Sequence, residues 1–207
     1  MFQSNVMQEK FQQDLDHIKK MMEKSSCFIS LSGLSGVVAG TIGLVGACVA
    51  YLMLEQYKLE TDFVDNKFEF ILNFVVLALV ILISALGSGT FFTLRKSTRL
   101  GLRIWTSTSK HVLVSLAVPL FVGGIFCLAL MAKGYFGFIA PAMLLFYGLA
   151  LVNASKYMWE DIKYLGYLEL LLGLISSFVL NYGLLFWAIG FGILHILYGV
   201  ILYKKYN

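Results

Sequence analysis

Six hydrophobic stretches occupy most of this chain, at residues 27–54, 70–94, 112–132, 136–152, 164–180 and 183–203. Each is long enough to cross a bilayer, since a helix needs about 20 mostly apolar residues to do so and about 17 at the least. Inside lipid every backbone N–H and C=O must be paired within its own segment, so each stretch is expected to be a helix. The fold class that follows is all-α: a polytopic bundle of six transmembrane helices.

Composition leaves little else. Hydrophobic residues make up 59% of the chain and charged ones 14%. A water-soluble domain could not keep that much apolar surface dry. The longest polar segment, residues 1–26, is too short to fold as a domain by itself. The expected organisation is therefore a short N-terminal arm, 1–26, and one membrane domain, 27–207. No cleavable secretory signal is expected, because the polar arm precedes the first apolar run. Cys27, Cys48 and Cys127 are scattered, with no metal-binding or haem-attachment spacing, and read as small apolar packing residues. No cofactor or metal is expected. The net charge of +4 is explained by loop cations and does not point to nucleic acid.

Those cations predict the orientation. Thirteen of the sixteen Lys and Arg residues fall in the arm (Lys10, Lys19, Lys20, Lys24), at 95–110 (Arg95, Lys96, Arg99, Arg103, Lys110), or at Lys156, Lys163, Lys204 and Lys205. The opposite side keeps Lys58, Lys67 and Lys133 beside the acidic Glu55, Glu60, Asp62, Asp65 and Glu69. Cytoplasmic loops collect Lys and Arg, so both termini are expected in the cytoplasm, with a plasma (inner) membrane as the location. The turns around Gly134 and Tyr182 are tight enough for antiparallel helical hairpins.

The first stretch carries a packing seam. Gly33, Gly36, Gly40, Gly43, Ala47 and Ala50 share one helical face. Lipid tails give helices no hydrophobic reason to associate, so close backbone approach through small residues supplies much of the contact. The partner is either another helix of the same chain or a second copy in a homo-oligomer. Pro119 and Pro141 remove backbone donors and are expected to mark kinks.

Two ionisable residues lie within the apolar runs, where each costs about 2.5–3.5 kcal/mol on insertion scales. Glu169 is about 9 Å along its helix from Lys163, and His195 about 13 Å from Lys204. Each is thirteen positions from Tyr182, so folding the chain there sets them at the same depth. Glu169 shares a face with Gly166, Gly173 and Ser176, and His195 with Ala188, Gly192 and Gly199. Both are expected to face the bundle interior, close together, with Tyr198, Tyr167 or a serine as helpers. Such a pair either fixes helix register or handles a proton or cation. On the first reading Glu169→Gln is mild and Glu169→Leu costly, because leucine strands the imidazole. Asn73, Ser84 and Ser88 can add polar lining, or bond to backbone.

Met7, Phe11, Leu15, Ile18 and Met22 recur at helical spacing and predict an amphipathic helix on the cytoplasmic side. Its acids and lysines nearly balance, which favours docking on protein over an anionic lipid surface. The 95–111 segment is expected to be a basic loop with His111 at its edge. No clustered catalytic groups are present, so no enzyme is expected. Two functions remain: a small carrier or channel-like bundle for protons, ions or a small solute, or a non-catalytic sensor, scaffold or accessory subunit.

Overall fold

A computed structural model describes residues 33–59, 67–101 and 105–206, together with Phe11, Gln12, Asp14, Leu15 and Ile18 of the arm. The described residues form helices and no strands. They comprise α1 (Gly33–Leu59), α2 (Lys67–Arg99), α3 (Ser107–Lys133), α4 (Ile139–Ala154), α5 (Glu160–Phe178), α6 (Gly183–Ala188) and α7 (His195–Tyr206). A π-helical segment, Ile189–Leu194, joins α6 to α7, so these three pieces make one last helix. The proposed arm residues Met7 and Met22, and residues 27–32 of the first stretch, lie outside the described residues.

Local chemistry sets the ends. Thr106 starts α3 by accepting the backbone N–H of Ser109 at 3.1 Å. Gly134 ends it at φ 82°, a left-handed conformation that glycine adopts without a Cβ clash. The N–H of Gly134 then bonds Met131 O at 3.0 Å, and that of Tyr135 bonds Leu130 O at 2.9 Å. Glu160 and Asp161 occupy the first turn of α5, where the positive end of the helix dipole favours acids.

Two expectations about elements need correction. The basic 95–111 segment is largely helical: Arg95, Lys96 and Arg99 close α2, and Ser107 to His111 open α3. Cations suit a helix C-terminus, so the helix runs past the point where its hydrophobic stretch stops. Pro141 does not kink α4, because it is the third residue of that helix, where the N–H has no intrahelical partner to lose. Pro119 lies inside α3, which runs through it as a single element.

Among the described residues five segments are long and apolar enough to cross a membrane: Gly33–Tyr57, Phe68–Arg99, Ser107–Lys133, Phe136–Tyr157 and Leu180–Lys205. They suit a membrane-embedded protein. Helix α5 is not among them; its nineteen residues include Glu160, Asp161, Lys163 and Glu169.

The packing order differs from the chain order. Helix α1 packs along the last helix and along α2, while α4 packs along α5 and α3. The two groups meet where α6 leans on α4 and α1. The backbones of α5 and the last helix come close mainly near their connecting turn and at the π segment, and farther along side chains such as Ile162, Leu165 and Leu202 fill the gap between them. The stripes of small residues explain this. Gly166 and Gly173 press on α4, where a Cβ at Gly166 would lie 3.0 Å from Gly148 O and one at Gly173 3.0 Å from Leu145 N. Gly192 and Gly199 instead receive α1.

The seam on α1 closes on the chain's own last helix. A Cβ at Gly36 would stand 3.0 Å from Gly199 Cα, one at Gly40 2.6 Å from Gly192 O, and Gly33 abuts Tyr203 and Gly199. Gly43 meets Phe191 O, and Ala47 and Ala50 are buried. A second copy approaching α1 would have to use a different face.

At one end of the molecule Tyr57, Phe70 and Phe136 interlock edge to face, with centroids 4.9 Å and 5.4 Å apart. There Asn73 donates to Tyr57 Oη at 2.9 Å. At the other end Lys205 Nζ and Asp161 Oδ2 pair at 2.9 Å, fastening the last helix to the start of α5.

Candidate functional site

The depth shared by Glu169 and His195 lies where α4, α5 and the last helix converge. Glu169 sits midway along α5 and is fully buried. His195 opens α7 directly after the π segment and is 9% exposed. The two come together: His195 Nδ1 lies 3.5 Å from Glu169 Oε1.

The imidazole is held from two sides. Its Nδ1 is 2.9 Å from Gly190 O, five residues back along its own helix. A carbonyl can only accept, so Nδ1 carries the hydrogen. Its Nε2 lies 2.6 Å from the Tyr147 hydroxyl, and in a neutral ring it accepts that hydrogen bond. The ring therefore carries an N–H on the Gly190 and Glu169 side. Phe191 stacks on the ring at 5.9 Å with planes 13° apart, and Trp187 packs on Phe191 at 5.0 Å.

The carboxyl is treated differently. Among the described residues neither oxygen of Glu169 has a hydrogen-bond partner, and at 3.5 Å the imidazole N–H is committed to Gly190. Gly190 provides the space: a Cβ there would run into Glu169 Oε2 and Leu144. A buried acceptor left unmatched costs about 1–3 kcal/mol, and more if charged. The bundle thus holds an uncompensated carboxyl against an imidazole that is already satisfied.

This changes what removal of the carboxyl does. The ring keeps Gly190 and Tyr147, so leucine at position 169 would not strand it. The helpers foreseen were Tyr198, Tyr167 and a serine, but Tyr147 on α4 fills that role, and Tyr167 is exposed. Ser176, on the face of Glu169, is itself buried, and among the described residues its hydroxyl has no hydrogen-bond partner. Ser88 bonds Ala85 O at 2.9 Å within its own helix, and Ser84 is exposed, so neither lines the centre. His111 is remote, bonded to Ser107 O and tilted against the Tyr157 ring. The π segment was not foreseen either. Its widened turn carries the Gly190 carbonyl back to the His195 ring, and π turns often mark functional positions.

Among the described residues no three His, Cys, Asp or Glu side chains converge as a metal site would require. A cavity of about 140 Å³ between α3, α4 and α5 is lined by Phe126, Leu130, Phe138, Leu145 and Phe146 among others, and is apolar.

The chain matches no family model, and neither a curated protein nor a solved structure is detectably similar to it.

Proposed function

We propose that the protein is a small membrane carrier or channel-like bundle for protons, ions or a small solute, with Glu169, His195 and Tyr147 as its working centre. The observation that carries this reading is the buried, unmatched carboxyl of Glu169 facing the imidazole. Ionisable groups inside apolar helices are expensive, and those that persist commonly lie on ion or proton paths. A group kept only to fix helix register would be expected to have its hydrogen bonds satisfied, as those of His195 are. In this reading α5 also crosses the membrane, giving six crossings, and both termini face the cytoplasm of a plasma (inner) membrane. No catalytic role is assigned.

Reconstitution into liposomes tests it. The wild-type protein should dissipate an imposed ion gradient, and Glu169→Gln should not, at equal incorporation. Equal flux through both would remove Glu169 from the path.

A second reading, a non-catalytic sensor or accessory subunit, draws support from the arm. Phe11, Leu15 and Ile18 are helical and all exposed, which leaves an apolar face available to a cytoplasmic protein. Replacing all three with Ser would then abolish the biological effect of the protein while leaving flux untouched.

A further inference from the structure

We infer that the ion bound at this centre is a proton, held as the carboxylic acid of Glu169, and that metal cations are excluded from it. This rests on the carrier reading above and narrows its cargo to one class.

The first argument is the shortage of ligands. A hard cation takes about six oxygen ligands. Here Glu169 supplies two, and the nearby Gly190 carbonyl is occupied by His195 Nδ1–H at 2.9 Å. Tyr147 is turned to the far side of the ring, where its hydroxyl donates to Nε2. Beside Oε2 stand the side chain of Leu144 and the bare Cα of Gly190, which add no ligand.

The second argument is space. A single methyl added at Gly190 would overlap both Glu169 Oε2 and Leu144. On the Gly190 side, then, there is no room beside the carboxylate for a water or a metal ion. A proton needs no cavity.

Polarity supplies the third argument. The imidazole turns an N–H, the positive end of a dipole, toward Glu169 Oε1. It therefore repels a cation and can stabilise a carbonyl oxygen. Uptake of one proton converts the carboxylate to the neutral acid, removes a charge from the apolar bundle and turns one orphaned acceptor into a donor. Among the described residues the titratable neighbours are His195 on the last helix and Tyr147 on α4. Phe191 and Trp187 cover the ring, an apolar plug that a hydrated ion would have to displace.

The test is infrared spectroscopy of the full-length protein in lipid, following the carboxylic-acid C=O band against bulk pH in sodium, potassium or choline chloride. A band belonging to Glu169 should fall as pH rises, with the same midpoint in all three salts, and should vanish in Glu169→Gln. Should that variant fail to fold, Tyr147→Phe serves instead, and its loss of the hydroxyl on Nε2 should shift the midpoint. Sodium or potassium displacing the band at fixed pH would make this a metal-cation site. The proton inference would then fail while the carrier reading survives. A band that ignores bulk pH, or no Glu169 band in any salt, overturns the inference. Liposomes lacking flux, with the band still titrating, would instead sink the carrier reading alone.

Discussion

Glu169 and His195 stand out in the sequence because a charge in an apolar run is conspicuous, and counting outward from Tyr182 sets them level. What spacing could not reveal is which of them has partners. Tyr147 lies 48 residues from His195 on a helix that separates neighbours in the chain, and tyrosine is common enough in apolar helices to carry no signal alone. The resulting asymmetry, a satisfied imidazole beside an unmatched carboxyl, gives two predictions. Glu169→Leu removes a buried orphan and should raise thermal stability by about 1–3 kcal/mol, where a shared hydrogen-bonded pair would lose stability. Tyr147→Phe leaves Nε2 buried without a donor and should lower stability by a similar amount, about 1–3 kcal/mol. Melting in detergent or lipid measures both. A destabilised Glu169→Leu would mean that the carboxyl is held by contacts the structure lacks.

At the scale of elements, hydrophobic length located the helices well, while their ends followed capping and dipole chemistry that length does not encode. The spacing of small residues identified packing faces on α1, α5 and the last helix, yet not which faces meet. Two stripes on consecutive helices suggest a hairpin zipped along its length. In the structure α5 presents its stripe to α4, and the last helix presents its own to α1, because Gly148 and the α1 glycines offer closer backbone approach. The π segment was illegible because Gly190 and Gly192 fit an ordinary α-helix equally well. The seam can be tested by graded substitution. Gly40→Ala places a methyl 2.6 Å from Gly192 O and should cost about 1–3 kcal/mol, while Gly36→Ala, at 3.0 Å from Gly199 Cα, should cost less. Gly87→Ala and Gly124→Ala, with open space at the added methyl, should be neutral or gain up to about 1 kcal/mol from helix propensity. Equal effects at all four positions would deny that backbone approach holds α1 to the last helix.

Across the whole molecule, two groups of helices join around α6, and the polar centre lies where α4, α5 and the last helix come together. The Asp161–Lys205 pair ties the basic end together, but it is partly exposed, and Lys205→Ala should cost less than about 1 kcal/mol. The proposed orientation rests on the distribution of cations alone. Cysteines introduced at Asp62 and Lys204 should therefore react with an impermeant thiol reagent from opposite sides of the membrane, and labelling of both from one side would overturn that topology. The central claim, that Glu169 is a buried acid on an ion path, is most directly tested with a hydrophobic carbodiimide, which attacks protonated carboxyls within lipid. Mass spectrometry of treated proteoliposomes should find the adduct on Glu169, and flux should fall in proportion to its occupancy. Full modification of Glu169 with flux unchanged would contradict the account.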